Sequence, residues 1–329
     1  MGNQKLISIC IPTYNREKDL EEALKTILPQ IGPDIEVVIS DNCSTDGTRE
    51  MVERYQHAYP GLRYSANESN LGFDRNMHRC MELADGEYIW FFGSDDLLKP
   101  GGVDAVRQAL QDKPVMVYLN QEVFNESSGK VIVKNVLRWT RDRKFRSSHA
   151  YIAFIGSNLS FMTALVLKRD RCLQVEELEA TYGSGWIHLH TVLWILARRD
   201  SFRFIGFPYV RARIRRVPDW DGLPVFVRAN KTIWNAHKYN QPYWILYFLI
   251  GRILFDVIIR TVVANRVKGT RSARELLPPL VRAYWIFPHF WLLVFPLVVL
   301  PRGLLRSLRQ AFRYLRSVVQ GTEKDLARP

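Results

Sequence analysis

A chain of 329 residues, 47% hydrophobic and 24% charged, has the balance of an ordinary globular protein, which excludes a disordered or fibrous polymer and leaves room for one large domain and a smaller appendage. Its net charge of +13 is unevenly placed: residues 1–200 hold 24 Lys and Arg against 27 Asp and Glu, a net of −3, whereas residues 201–329 hold 22 against 6, a net of +16. Long apolar runs thread the basic part, which points to an anionic membrane surface and away from nucleic acid as its partner.

The N-terminus, MGNQKLISICIPTYN, has no apolar run of signal-peptide length before Pro12, so export by that route is not expected. It opens like a myristoylation site, but Leu6 stands where Ser or Thr is needed. From Leu6 to Phe92 short apolar runs alternate with longer amphipathic stretches. That is the pattern of βαβ units in an α/β domain with a mostly parallel, Rossmann-like sheet. Strands are expected near Leu6–Ile11, Ile35–Ser40, Leu62–Ala66 and Glu87–Phe92, with helices over Asp19–Gln30, Asp46–His57 and Phe73–Ala84. A helix after Pro100, a strand at Val115–Asn120 and a polar hairpin over Glu122–Val136, turning at Ser127-Ser128-Gly129, follow. An apolar strand at Leu159–Leu167, a helix near Trp186–Ala197 and a strand at Phe202–Phe207 complete a first domain, residues 1–208. Cys10, Cys43, Cys80 and Cys172 form no CxxC pair, and reduced thiols in a cytosolic setting are expected.

Residues 209–240, with RARIRRVPDWDGLP, read as a basic, turn-rich linker, and residues 241–329 as membrane-associating helices. Tyr243–Val263 has only Arg252, Asp256 and Arg260 as charged residues, at i, i+4 and i+8, where they can pair along one face. Tyr284–Leu300 is a 17-residue apolar run with two internal prolines and His289, short of the roughly 20 residues a spanning helix needs. A shallow or re-entrant segment fits it better. Leu304–Val319 sets Leu304, Leu308, Phe312, Leu315 and Val319 on one face and Arg306, Arg309, Arg313 and Arg316 on the other, the pattern of an interfacial helix. The alternative is a helix packed on the protein's own core, but no acidic residue lies among those arginines, and a merely solvated face usually mixes signs.

Chemistry concentrates in three stretches: ISICIPTYNR, EVVISDNCSTDGT and NLGFDRNMHRCMELADGEYIWFFGSDD. Each places polar residues where a strand leaves the carboxyl edge of a parallel sheet, the edge that receives nucleotides in such folds. Pro12, Thr13, Tyr14 and Asn15 offer backbone groups and a ring around a base. Asp41, followed by Asn42, can accept hydrogen bonds from a base or ribose, or can cap the next helix, a task that Asp46 also fits. Asn70, Arg75 and Asn76 bracket a helix start after Gly72, where an arginine and a helix N-terminus can hold phosphate; otherwise Arg75 pairs with a carboxylate on the helix surface. Asp95 and Asp96 emerge side by side from a buried strand. Leaving them unpaired is costly, and a divalent cation, Mg²⁺ or Mn²⁺, bridging a diphosphate would remove the cost. A dinucleotide-dependent reductase or epimerase is disfavoured, because PTYNRE stands where G-x-G-x-x-G is needed.

Taken in this order, the three stretches resemble family 2 glycosyltransferases of the GT-A type over about the first 110 residues. The third is similar in wording to the abequosyltransferase-type branch, which builds bacterial O-antigens. The resemblance implies a GT-A domain followed by a helical membrane-associating region. It also implies a nucleotide-diphosphate sugar donor, with a deoxy- or dideoxyhexose among the possible sugars, and an oligosaccharide acceptor on a polyprenyl diphosphate at the cytoplasmic face of the bacterial inner membrane. Ser94-Asp95-Asp96 then corresponds to the DxD-like motif, one carboxylate near the ribose and the other on the metal, a division that assigns Asp95 to the nucleotide sugar and Asp96 to the cation. Gly93 replaces the first acid of the commoner DSDD. The family's acidic pair at the start of the helix near Trp186 is replaced by GSGWIHLHT. His188 stands there as base, metal ligand, hydrogen-bond acceptor or core residue, and His190, at i+2, faces elsewhere. Glu176, Glu177 and Glu179 are the reserve candidates for a base. Arg211, Arg213, Arg215 and Arg216 fit a clamp on a donor or acceptor diphosphate, or a general attraction to lipid, and Trp220 fits a sugar platform. A non-catalytic scaffold for membrane polysaccharide enzymes is the competing reading, and the intact Asp95 and Asp96 argue against it.

Overall fold

The first strand, β1 (Ile7–Thr13), is buried along its whole length, polar Ser8 and Thr13 included, as in a parallel strand covered on both faces. The computed structural model describes residues 5–198, 200–214, 222–239 and 241–311. In it β2 (Ile35–Asp41), β3 (Leu62–Ala66) and β4 (Tyr88–Phe91) join β1 in the order β3-β2-β1-β4, all parallel. Helices α1 (Glu17–Ile27), α2 (Thr48–Ala58) and α3 (Phe73–Leu83) make the crossovers. α1 buries Leu20, Ala23, Leu24 and Ile27, the i, i+3, i+4, i+7 stripe of a helix lying on a sheet. Strand succession reverses at β1, so the carboxyl edge between β1 and β4 is the switch point at which such sheets take ligands.

Beyond β4 the sheet becomes mixed. After β5 (Leu97–Leu98) and helix α4 (Gly102–Leu110) comes β6 (Met116–Asn125), which forms a hairpin with β7 (Val131–Val133). β8 (Arg143–Phe145) and helix α5 (Ser148–Ile155) precede β9 (Leu165–Lys168), which lies antiparallel between β4 and β6. Helices α6 (Arg169–Leu173) and α7 (Ile187–Leu196) lead to β10 (Phe202–Ile214), parallel to β6 and flanked by β5 and β8. β1, β2, β3, β4, β6 and β10 share one direction, so the sheet is mostly parallel.

Two stretches differ from the sequence expectation. Leu159–Leu167 is not one strand: Gly156–Ser160 and Met162–Ala164 are 3₁₀ turns, and only Leu165 begins β9. Leu159, Thr163 and Ala164 are buried within those turns, so their apolar run reflects burial without extension. The basic stretch starting at residue 209 begins as strand, because β10 runs on to Ile214 and pairs with β6 through Asn125. Residues 222–235 then form helix α8 (Gly222–Asn235), followed by a 3₁₀ turn at Ala236–Tyr239.

Two units divide the chain: Met1–Trp220 with Thr232–Leu246, and Asp221–Lys231 with Tyr247–Pro329. Within the first, Tyr239 and Gln241 meet α7: the Tyr239 hydroxyl lies 3.2 Å from His190 Nε2, and Gln241 Nε2 donates to the Leu193 carbonyl at 3.2 Å.

The second unit is helical. It holds the end of helix α9 (Tyr243–Ile253), a π-helical turn at Leu254–Ile258, and helices α10 (Ile259–Lys268), α11 (Ala273–Tyr284) and α12 (Phe295–Val299), the last preceded by a π turn at Phe290–Val294. Ser272 and Glu275 form a capping box at the start of α11. Of the expected charge ladder, the Arg252–Asp256 pair closes at 3.0 Å. Leu276, Leu280, Tyr284, Phe290, Val294 and Val298 are buried, whereas Trp285, Trp291, Leu292, Leu293, Leu304 and Leu308 are exposed, Leu292 by 74%. Among the described residues no single helix is long and apolar enough to cross a membrane. Phe290–Val299 and Arg302–Ala311 reach that length together, but with a bend of 116° between them. Of the expected Leu304–Val319 helix, residues up to 311 are helical and the remainder, with Phe312, Arg313, Leu315, Arg316 and Val319, lies outside the described residues.

Candidate active site

At the switch point the carboxyl ends of β1, β2 and β4 meet. Pro12 and Thr13 finish β1 as buried residues, Tyr14 is exposed, and Asn15 turns the chain with a φ of 51°. The loop after β1 is tied to the loop after β2: Asn15 N donates to Ser44 Oγ at 2.8 Å, Thr45 N donates to Asn15 Oδ1 at 2.8 Å, and Glu17 N donates to Asp46 Oδ2 at 3.1 Å. Asp46 also accepts from Thr48 N at 3.1 Å and so caps α2. Asp41 is therefore not needed as a cap. Its buried carboxylate accepts from Ser44 N at 3.0 Å, Ser44 Oγ at 2.5 Å and the Tyr64 hydroxyl at 2.6 Å.

A chain of amides shapes the next loop. Asn42 Nδ2 donates to Asn70 Oδ1 at 2.7 Å, and Asn42 Oδ1 accepts from Leu71 N at 2.8 Å. Asn76, buried on α3, accepts from Ser40 Oγ and from Asn67 Nδ2, each at 2.8 Å, and donates to the Ser40 carbonyl at 2.9 Å. Both asparagines spend their side chains on the protein, so they shape the site from behind. Arg75 is exposed and, among the described residues, pairs with no carboxylate; its guanidinium lies 5.0 Å from the centroid of the Tyr182 ring.

The acidic pair has the environment that two carboxylates at a strand exit would have. Asp96 is buried. Thr163 Oγ1 donates to its Oδ2, and Arg213 N donates to its Oδ1 at 3.1 Å. Gly93 N in turn donates to Thr163 Oγ1 at 3.0 Å. Burial, and then the neighbouring Asp95 charge, push the Asp96 carboxyl well above the usual range; burial also raises Asp95, with Arg16 opposing it. A Cβ on Gly93 would stand 3.0 Å from Asp96 Oδ2 and 3.1 Å from Thr163 Oγ1. The Thr163 hydroxyl thus occupies ground that a side chain at position 93 would contest.

No three His, Cys, Asp or Glu side chains among the described residues cluster closely enough to hold a metal ion by themselves. Asp95 and Asp96 nevertheless fit a cation that draws most of its ligands from phosphate and water, as Mg²⁺ and Mn²⁺ do. Each carboxylate oxygen of Asp96 keeps a second lone pair beside its present hydrogen bond, and a cation would offset the charge repulsion and burial that now favour the protonated forms. The sign follows from the raised values. The Asp96 contribution to stability is present at low pH and lost as pH rises from the ordinary carboxyl value, 3.8, through about 7. In a chelator, the melting temperature of the wild type relative to Asp96→Asn should fall between about pH 5 and about pH 8. Mn²⁺ should restore it at the higher pH. A difference that ignores both pH and cation would count against the pair as a cation site.

Two of the four arginines considered for a diphosphate clamp have partners within the domain. Arg211 Nε donates to Glu122 Oε1 at 2.6 Å, and Lys99 Nζ holds the other Glu122 oxygen at 2.5 Å. Arg213, its side chain only 5% exposed, donates to the Asp95 carbonyl at 2.7 Å and to Glu22 at 2.6 Å, with Asp19 and Glu126 at 3.7 and 3.5 Å. Both guanidinium groups are committed to acids of this domain, and Arg213 braces the acidic pair from below. Arg215, Arg216 and Trp220 lie outside the described residues.

His188 is buried in the first turn of α7, its Nε2 at 2.9 Å from the Ser160 carbonyl. A carbonyl only accepts, so Nε2 carries the proton and Nδ1 is the basic nitrogen. Nδ1 meets no hydrogen-bond partner among the described residues, and burial pushes the ring down to about 4. His190 faces elsewhere, toward the Glu176 carbonyl at 3.2 Å and Tyr239. Glu176 and Glu179 are exposed, and Glu177 pairs with Lys238 at 2.8 Å. One residue that sequence reasoning passed over is Asp74, buried on α3, whose carboxylate accepts from Gly185 N at 2.8 Å and Ile187 N at 3.1 Å.

The model of the family described as glycosyl transferase family 2 matches residues 8–165, the stretch that carries β1 to β4, the loops around Asp41 and Asn76, and the Asp95–Asp96 pair. Residues 8–165 are a family 2 glycosyl transferase domain. The chain is 36% identical over 205 residues to the abequosyltransferase RfbV of Salmonella typhimurium, 57% of this chain and 60% of that one. It is 29% identical over 192 residues to the GalNAc(5)-diNAcBac-PP-undecaprenol beta-1,3-glucosyltransferase of Campylobacter jejuni, 56% of this chain and 59% of that one. It therefore spans about 60% of the length of these relatives. Among solved structures, S. aureus TarS 1–349 in complex with UDP-GlcNAc superposes with a TM-score of 0.59 at 19% identity, covering 76% of this chain and 72% of that one. This likeness bears on the fold of the transferase domain, which is α/β of the GT-A kind.

Proposed function

We propose that this protein transfers a sugar from a nucleotide-diphosphate donor to an oligosaccharide carried on a polyprenyl diphosphate, at the cytoplasmic face of a bacterial inner membrane. The observation that carries the reading is the pair of half-buried Asp95 and buried Asp96, both with raised carboxyls, at the switch point of a family 2 transferase domain. Thr13, Tyr14 and Asn15 with Asp41 border the nucleoside, on a floor set by Asn42 and Asn76. Asp95 and Asp96 would hold a divalent cation, which when bound neutralises the charge of the departing diphosphate. Arg213 and Thr163 hold the Asp96 carboxylate, Arg213 also holds the Asp95 carbonyl, and Arg75, exposed at the start of α3, can leave Tyr182 for an anionic group. The Campylobacter relative acts, by its name, on an undecaprenyl-linked sugar chain. That name and the exposed tryptophans and leucines of the basic second unit support the lipid-linked acceptor and the membrane setting. A deoxy- or dideoxyhexose donor is the sugar this reading favours, after the Salmonella relative.

The direct test is release of nucleoside diphosphate from a panel of nucleotide sugars, with and without Mg²⁺ or Mn²⁺. Cation-dependent release from at least one donor is expected, and no release from any would overturn the reading. On the same assay His188→Gln should lower turnover by about tenfold or more, and His190→Gln by far less, because His188 bonds to the Ser160 carbonyl, three residues before Thr163, whereas His190 faces Glu176 and Tyr239. Equal, small effects would mark both as packing residues.

A further inference from the structure

The carboxylate of Asp74 reaches across from α3 to the start of α7. Trp186, the residue before α7, gives no side-chain cap of its own, and Asp74 takes up the orphan N–H of Ile187 together with the N–H of Gly185 in the turn before it. The segment leading into α7 is held by α3 at a second point. His78 Nδ1 lies 2.6 Å from the Tyr182 hydroxyl, and Arg75 lies over the Tyr182 ring. Between these holds, Gly183 and Gly185 have φ of 81° and 78°, values that a residue with a side chain adopts only under strain. The turn thus owes its shape to the two glycines and its place to α3.

The contacts continue from α7 to the acidic pair. His188 follows the capped Ile187 and meets the Ser160 carbonyl; Thr163, three residues on, holds Asp96 by its hydroxyl and Trp90 Nε1 by its carbonyl at 2.9 Å. Asp74, α7, His188, the 160–163 turn and Asp96 form one contiguous path of hydrogen bonds and peptide links. Two residues beyond Asp74, in the same first turn of α3, stands Asn76, which is bonded to the strand ends under the nucleoside loops.

We infer that Asp74 is a positioning residue: by capping α7 from α3 it fixes His188 and the turn that orients Asp96 against the helix that supports the nucleotide loops. The inference rests on the transferase reading for its consequence in turnover, though not for the placement of His188. Asp74→Ala frees the start of α7 and should lower kcat for donor turnover by about tenfold or more, with donor KM changed by less than about threefold. Asp74→Asn keeps one accepting oxygen and should recover most of the loss. In a double-mutant cycle Asp74→Ala and His188→Gln should be far from additive, since both act on one path. The ¹⁵N shifts of the His188 ring, assigned by comparison with His188→Gln, should move in Asp74→Ala and return in Asp74→Asn. If Asp74→Ala does not fold, Asp74→Asn carries the cycle, with a smaller expected effect of the same kind. Unchanged kcat and unchanged His188 shifts, or effects that add within about twofold, would overturn the inference. A wild type without donor turnover but with His188 shifts that follow Asp74 would defeat the transferase reading alone.

Discussion

Asp96→Asn should lower donor turnover by about a hundredfold or more, equivalent to roughly 2.7 kcal/mol or more of transition-state stabilisation, while leaving the fold intact. Asparagine matches aspartate in shape. Its amide oxygen can still accept from Arg213 N, and the Thr163 hydroxyl can reverse its role and accept from the new amide. What disappears is the negative charge beside Asp95. Burial makes that charge costly in the isolated protein, so the variant should melt no lower than the wild type at about pH 8 in a chelator. Asp96→Ala should lose activity as fully but also leave Thr163 Oγ1 and Arg213 N without their acceptor, at a cost of about 1–3 kcal/mol. Near-normal turnover in Asp96→Asn with cation present would show that the site has been misplaced.

The second large effect concerns lipid. Replacing three of the exposed leucines, Leu292, Leu304 and Leu308, by glutamate should weaken binding to anionic vesicles by about a hundredfold, taking roughly 1 kcal/mol for each half-buried apolar side chain. Their exposure means that the second unit loses little packing. Truncation at residue 302 is a poorer probe, because Leu305 is buried, Arg302 Nε donates to the Arg266 carbonyl at 3.2 Å, and Arg306 reaches the Val267 carbonyl at 3.3 Å. Removing that helix would therefore also uncover the end of α10. Activity on a short water-soluble acceptor should survive the leucine changes, whereas activity on a lipid-linked acceptor should fall, since membrane confinement raises the effective concentration of the two partners. Vesicle binding that is unaffected by the three glutamates and by salt would remove the membrane from the account.

The legible parts of this chain are those fixed by local pattern. The short apolar runs and amphipathic stretches from Leu6 to Leu110 placed β1 to β4 and α1 to α4 within a few residues, and the adjacent acids after a buried strand pointed to the candidate site. What stayed hidden depends on partners far away in sequence. Arg211 and Arg213 read as a cationic linker, because nothing local shows that Glu122 and Glu22, 89 and 191 residues distant, neutralise them in a strand. Asp74 sat unnoticed within a recognisable motif, since its role is to cap a helix 113 residues further on. Asn42 and Asn76 looked like ligand residues because buried amides at a strand end have the same signature whether they face a nucleotide or hold the loop that does. The sequence signal that could have exposed Asp74 is the lack of any Ser, Thr, Asp or Asn cap immediately before Ile187, where Gly-Trp stands instead.

Calorimetric titration of the full chain with UDP, GDP, CDP and dTDP, in Mn²⁺ and then in a chelator, tests the central claim most directly, because it reads the nucleotide site without needing the sugar or the acceptor. One of the four should bind in Mn²⁺, and its affinity should fall by about tenfold or more in the chelator and in Asp96→Asn alike. Binding of none of them, or binding that is indifferent to both the cation and Asp96, would contradict a cation-assisted nucleotide site at the ends of β1, β2 and β4.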